Sequence, residues 1–233
     1  MVLFELNPDS VKFPSPELAL AEPNGLLAFG GDLSVARLVE AYHQGIFPWY
    51  GDQDPILWWS PNPRTVITPS SLHVSRSMQR FLKRTPFTVT LNHAFERVIH
   101  ACAKVHGEAG RGIWIHPEMM QAYLNLHHRK HAHSVEVWSG NALVGGLYGV
   151  SAGSIFCAES MFHTQTNASK TALICFARHF FTAGGALIDA QISNSHTVSM
   201  GAHDLPRTEY LRRLQQQEGA LRKNLWTPTT LKA

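Results

Sequence analysis

The spacing of apolar and polar positions divides the chain into a turn-rich first third, a helical middle and a second half that opens with strands. Phe13-Pro14-Ser15-Pro16 and Glu22-Pro23-Asn24-Gly25 punctuate the start. Asp32 or Ser34 can cap a helix that runs to about Tyr42, and Gly45 can end it in the left-handed conformation. The segment Gly45-Ile46-Phe47-Pro48-Trp49-Tyr50 and the run from Leu57 to Arg64 are aromatic and proline-rich, which excludes regular helix. Helical spacing returns over 75–84. There Met78, Phe81 and Leu82 form an apolar stripe, and Arg76, Arg80, Lys83 and Arg84 occupy another face. The pattern then predicts a weak strand over 88–91 and helices over 94–105 and 117–128, the last opened by Pro117.

From Ser134 the period changes to that of strands. Segments 134–138, 142–150 and 154–162 are separated by the turns Ser139-Gly140-Asn141 and Ser151-Ala152-Gly153, which predicts an antiparallel meander. A helix over 167–182 follows, with Leu173, Phe176 and Phe180 on one face, and Gly184-Gly185 stops it. Residues 186–192 read as a buried strand, and a final amphipathic helix starts near Thr208. Three antiparallel strands, a helix and a further strand are the core order of N-acetyltransferase-like (GNAT) folds. The predicted class is therefore α+β: a GNAT-like C-terminal domain over 66–233, with an antiparallel or mixed sheet and helices, and a small α/β N-terminal domain over 1–65.

Composition narrows the picture a little. With 233 residues, 44% hydrophobic and 16% charged, the chain is long enough for a real core and unremarkable in charge. It contains no apolar run of the roughly 18 residues a membrane helix needs, and Met1–Pro8 lacks the features of a signal peptide. Cys102, Cys157 and Cys175 are odd in number and form no CxxC, which points to free thiols in a reducing, cytoplasmic compartment. A net charge of +3 pulls weakly toward a polyanion, so RNA binding would require the basic residues to gather on one face.

Several residues could carry chemistry. Asp189 and Gln191 lie two apart on the last predicted strand, so alternation places their side chains on one face and Ala190 on the other. A carboxylate and an amide in so apolar a strand need partners, whether catalytic or merely structural. Glu159 is an acid inside the third strand of the meander; it fits either an Arg or Lys ion pair or the reception of a cationic substrate group. Trp49, Trp58, Trp59 and Trp114 offer faces for base stacking or for packing on prolines. The basic face of the 75–84 helix could track phosphates or simply be solvated. His127 and His131 have i,i+4 spacing, but no HExxH accompanies them and no cysteine lies near, so no metal site is assigned. The chain has no GxGxxG and no Walker-type loop. Where an acetyl-CoA enzyme would carry a glycine-rich pyrophosphate loop, it has Asn167-Ala168-Ser169-Lys170-Thr171.

Taken in order, these segments resemble the leucyl/phenylalanyl-tRNA–protein transferase family over nearly the whole chain. The resemblance rests on Phe13-Pro14, Gly-Leu-Leu-Ala-Phe-Gly-Gly-Asp-Leu (25–33), Gly-Ile-Phe-Pro-Trp (45–49) and Trp-Trp-Ser-Pro-x-Pro-Arg (58–64). It continues through His-Ser-Val-Glu-Val-Trp (133–138), Leu-Val-Gly-Gly-x-Tyr-Gly (143–149), Glu-Ser-Met-Phe (159–162), Asn-Ala-Ser-Lys (167–170) and the Asp-x-Gln strand. Alanine at 158 and 190, His163, Leu205 and Leu147 depart from that pattern and could tune side-chain preference.

The resemblance implies an aminoacyltransferase that uses no acetyl-CoA, no other cofactor and no metal. It moves Leu or Phe, and less well Met, from aminoacyl-tRNA to the N-terminal Arg or Lys of acceptor proteins, marking them for degradation. It implies an apolar pocket of Met161, Leu173, Phe176, Ile188 and Leu147, and a seat for the terminal adenosine at Trp49 and Trp114. Arg76, Arg80, Lys83 and Arg84 correspond to the family's tRNA-binding cluster, and Glu159, Asp189 and Gln191 to the residues of the reaction. Gln191 is too weak a base to remove a proton outright. The expectation is that its carbonyl orients the attacking N–H while Asp189 accepts from its side-chain amide. The rival readings are an acetyl-CoA-dependent N-acetyltransferase and a tRNA-binding module without catalysis.

Overall fold

The computed structural model describes residues 3–108, 115–216 and 221–232. A four-stranded sheet occupies the N-terminal quarter. Its strands are β1 (Phe4–Leu6), β2 (Leu26–Gly30), β3 (Phe47–Pro48) and β4 (Leu57–Trp59), arranged β1-β2-β4-β3. Helix α1 (Val35–His43) leaves this layer. Of the two caps the sequence offers, Ser34 is the one used, its Oγ accepting from the Arg37 N–H, and Gly45 ends the turn at φ 71°.

The larger sheet has eight strands: β5 (Arg64–Ile67), β6 (Phe87–Leu91), β7 (Ala132–Ser139), β8 (Ala142–Ala152), β9 (Ile155–His163), β10 (Leu187–Gln191), β11 (His203–Leu205) and β12 (Thr229–Leu231). Their order is β11-β5-β10-β9-β8-β7-β6-β12. Helices α2 (Arg76–Leu82), α3 (Phe95–Glu108), α4 (Pro117–His128), α5 (Ala168–Thr182), α6 (Ser195–Ser199) and α7 (Arg207–Gln216) complete the chain. The expected meander is β7-β8-β9, followed by α5 and by β10, which lies parallel to β9. Short strands β1 to β5, β11 and β12 escaped the sequence pattern, because two to five residues carry too little alternation to register.

Alternation along the central strands sorts their side chains into two apolar layers. Leu147, Phe156 and Ile188 join Leu173, Phe176 and Phe180 of α5. Their neighbours Tyr148, Cys157 and Leu187 join Phe95 and Cys102 of α3, Tyr123 of α4, and Leu27 and Trp58 of the small sheet. Both faces of the large sheet are thus covered, which is why its central strands are apolar almost throughout. The buried Glu136 in β7 is an exception with a purpose. It accepts hydrogen bonds from the Thr90 and Ser134 hydroxyls and from the His93 and Ala94 N–H groups at the start of α3.

Two β-bulges interrupt this order at neighbouring places. On β9, Tyr148 pairs with Ser160 and Gly149 with Ala158, leaving Glu159 as the extra residue. On β10, Asp189 pairs with Val66 and Gln191 with Thr65, leaving Ala190 as the extra residue. Parallel pairing between the two strands ends at Asp189–Cys157. Beyond that point they no longer pair, and a gap opens at the middle of the sheet. Gly149 makes the first bulge possible, since a Cβ there would collide with the Cys157 carbonyl oxygen. Gly149→Ala is therefore expected to destabilise the fold by about 1–3 kcal/mol, as overpacking does. Urea unfolding tests this, and an unchanged midpoint would contradict the bulge's tight packing.

Candidate active site

The gap between β9 and β10 opens into a cavity of about 720 Å³. One wall is Phe47, Pro48 and Trp49. The second runs from Ala158 to His163, and the third from Ala190 into α6. Trp49 is 45% exposed, with its ring 5.6 Å from that of Trp59, whose Nε1–H donates to the Trp49 carbonyl at 2.6 Å. A large ring held by its neighbours and left open on one side is suited to stacking against a flat ligand.

The bulges overturn the expected alternation. Ala190, expected to face away, lines the cavity together with Gln191. Asp189, expected to share the face of Gln191, is fully buried and does not reach the cavity. Its Oδ1 accepts from Arg64 Nε at 2.8 Å and its Oδ2 from Arg64 Nη2 at 2.6 Å, a bidentate pair. The Tyr210 hydroxyl donates to Oδ2 at 2.8 Å. The remaining donor is the backbone N–H of Gln191, 2.8 Å from Oδ1. Asp189 therefore holds the Gln191 main chain, at a left-handed φ of 61°, and not its side-chain amide as expected. Burial opposes the charged form of Arg64, but the adjacent Asp189 charge outweighs it and holds the guanidinium pKa above its ordinary value.

The side-chain amide of Gln191 belongs to Glu159: Nε2 donates to Oε1 at 2.7 Å. Tyr123 of α4 donates to Oε2 at 3.0 Å, and the Tyr42 hydroxyl of α1 lies 2.6 Å from the Tyr123 oxygen. When Tyr123 gives its proton to Glu159, its oxygen accepts from Tyr42. Burial pushes both phenols well above their usual range, with the Glu159 charge adding to it, so both remain protonated donors. Burial also raises the Glu159 carboxyl to about 7, against the lowering effect of its hydrogen bonds to the tyrosines. An ionised carboxylate only accepts, so it fixes Nε2 of Gln191 toward itself and turns the amide carbonyl elsewhere.

The other expected site residues divide. Met161 lines the cavity, whereas Leu147, Leu173, Phe176 and Ile188 are buried in the apolar layer against which Met161 and Ala158 pack. They back the cavity without forming its present surface. Arg76, Arg80, Lys83 and Arg84 are exposed around α2 and its C-terminal turn, while Met78 and Leu82 are buried as the stripe predicted. Trp114 lies outside the described residues. The three cysteines are buried and free. Among the described residues no group of three or more His, Cys, Asp or Glu side chains could hold a metal ion. No helix there is long and apolar enough to cross a membrane.

Sequence reasoning missed Tyr42, Tyr123, Arg64 and Tyr210 as parts of this network. Tyr42 and Tyr123 look like ordinary helical aromatics, and Arg64 hides behind Pro61-Asn62-Pro63, where nothing in the pattern announces burial.

Comparison with known proteins identifies the family. A model described as leucyl/phenylalanyl-tRNA protein transferase matches residues 66–215, and one described as the N-terminal domain of that transferase matches residues 31–62. The leucyl/phenylalanyl-tRNA–protein transferase of Pectobacterium atrosepticum is 56% identical over 232 residues, covering 99% of this chain and 98% of its own. Those of Citrobacter koseri and Escherichia coli are 56% and 55% identical with the same coverage. Among solved structures, that of L-PGS from Bacillus licheniformis is similar at a TM-score of 0.39 and 10% identity, over 88% of this chain and 65% of the other. That likeness is too distant to carry an argument. The identities over full length are not: the chain belongs to the leucyl/phenylalanyl-tRNA–protein transferase family.

Proposed function

We propose that the cavity is where an aminoacyl ester on a tRNA 3′ end meets the N-terminus of an acceptor protein, and that the enzyme catalyses aminolysis of that ester. The amine nitrogen attacks the ester carbonyl carbon and forms the new amide, the bond to the ribose oxygen breaks, and the tRNA leaves with a free hydroxyl. The observation that carries this reading is the Gln191 amide. Its NH₂ is tied to Glu159, which leaves the carbonyl oxygen to accept an N–H of the incoming amine where β9 and β10 part.

An ester of this kind is already activated, so positioning is the main task, and it can supply up to about 7–11 kcal/mol in favourable cases. Interposing a neutral amide between Glu159 and the amine matters electrostatically. A bare carboxylate in direct contact would stabilise the ammonium and suppress the nucleophile. Glu159 is the one acidic residue on the cavity wall among those described, which suits the side chain of an acceptor that begins with Arg or Lys. The transferred side chain is Leu or Phe, and less well Met. Met161 provides its apolar wall, with Leu147, Leu173, Phe176 and Ile188 behind. Trp49 stacks on the terminal adenosine, and the exposed Arg76, Arg80, Lys83 and Arg84 contact tRNA phosphates.

Two finer points of architecture belong to the same reading. The β7-β8-β9 meander, α5 and the parallel β10 support a GNAT-like layout for residues 66–233. The confinement of the small sheet to residues before 60, and the separate family matches to 31–62 and 66–215, support a division near residue 65. The enzyme is placed in the cytoplasm, where charged tRNA is found, and its product enters protein degradation.

Four outcomes follow. Incubated with Phe-tRNA and a peptide beginning with Arg, the protein should add one phenylalanyl residue, and ribonuclease should abolish the gain. No ribonuclease-sensitive gain would overturn the reading, and an acetyl-CoA-dependent gain would favour the acetyltransferase. Gln191→Ala should lower kcat about 100-fold through lost positioning, with tRNA affinity unchanged. Reversing the charges of Arg80 and Lys83 should instead weaken tRNA binding and flatten its salt dependence by a slope of roughly one to two; equal effects of both changes on tRNA affinity would contradict this division. Finally, Tyr123→Phe removes a hydrogen bond that favours ionised Glu159, so the Glu159 titration should move upward from about 7. Carbon-13 NMR of labelled glutamate reads this directly, and an unchanged or lower midpoint would contradict it.

A further inference from the structure

The walls of the cavity come from different parts of the chain, and one buried side chain touches the supports of two of them. Each nitrogen of the Arg64 guanidinium has a partner. Nε and Nη2 pair with the two oxygens of Asp189, while Nη1 donates to the Gly45 carbonyl at 2.9 Å. Its faces are covered by Phe47, 4.9 Å from ring centre to Cζ, and by Tyr210 at 4.6 Å. Gly45 and Phe47 lead directly into Trp49, on the first wall. Asp189 holds the N–H of Gln191, on the opposite wall, in a left-handed conformation that a glutamine does not keep unaided. Tyr210, from α7, fills the remaining position on Oδ2 of Asp189.

We propose that Arg64 and Tyr210 are positioning residues for the transfer reaction: through Asp189 and Gly45 they set the separation and angle between Trp49 and Gln191. The proposal rests on the reading that Gln191 orients the attacking amine. Neither residue lines the cavity, so each acts through another group. A lysine cannot replace Arg64. Its single nitrogen cannot serve two carboxylate oxygens and the Gly45 carbonyl in one plane, nor present a flat face to Phe47 and Tyr210.

The test uses the full chain and compares kcat, the KM values for Phe-tRNA and for an Arg-initiated peptide, tRNA affinity and thermal stability. Arg64→Lys should keep the salt dependence of tRNA binding, since α2 is untouched, and lower kcat about 10- to 100-fold, as small misplacements of reacting groups do. The double variant Arg64→Met with Asp189→Asn removes both buried charges, so it should recover thermal stability relative to Arg64→Met alone. Its kcat should nevertheless stay low. Tyr210→Phe removes one hydroxyl from an otherwise intact core and should lower kcat several-fold at unchanged tRNA affinity. Should the arginine variants fail to fold, this last variant decides the matter. Recovery of kcat together with stability in the double variant, or wild-type kcat in Tyr210→Phe, would overturn the proposal and leave the pair a purely structural one. Absence of transfer by the wild-type protein would instead overturn the functional reading on which it rests.

Discussion

The buried pairing of Arg64 with Asp189 is the constraint on which the arrangement of the site depends. Two full charges inside a protein are tolerated only with close geometry and satisfied surroundings, and here every polar atom of the pair that faces the interior has a partner. Breaking one half of such a pair typically costs about 3–5 kcal/mol, because the other charge is left uncompensated. The cost explains why β5, β10, α7 and the turn at Gly45 hold one geometry. It also sends the negative charge of Asp189 inward, where it cannot stabilise a substrate ammonium directly.

What remains to meet the substrate is softer chemistry. Glu159 holds the Gln191 amide from the cavity wall and is raised by burial toward neutrality near pH 7. The tyrosine chain from Tyr42 through Tyr123 biases it back toward the carboxylate, which in turn orients the amide. A site of this kind presents a directed carbonyl and a nearby, tunable charge, and contains no strong base in contact with the reacting atoms. That matches a reaction whose acyl donor arrives activated and whose nucleophile needs alignment more than force. The same set of contacts links α1 of the N-terminal part to α4 and to the two central strands, so both halves of the chain contribute to one amide's orientation.

Much of this was legible in the sequence, and the exceptions share a cause. The meander, α5 and the stripe of α2 follow from periodicity that extends over many residues, and the structure keeps it. The same logic puts Asp189 and Gln191 on one face, and there it fails. A single extra residue, Ala190, shifts the parity of everything after it, and nothing in Leu-Ile-Asp-Ala-Gln signals a bulge. The bulge at Glu159 was equally silent, although Gly149 opposite it is the kind of residue such a distortion requires. Arg64 was visible only as the last letter of a proline-rich segment, since its partners lie 19 and 125 residues away. Long-range pairing of polar groups leaves no local trace in a sequence.

Asp189 acts on the backbone of Gln191 from the protein interior. Amide hydrogen exchange at Gln191, measured by nitrogen-15 NMR on the free enzyme, tests it most directly. Held by a fully buried carboxylate, that N–H should exchange as slowly as the paired amides of β9 and stay protected across neutral pH. Exchange as fast as that of an exposed loop would show that the bulge is loose, and that Asp189 does not hold it.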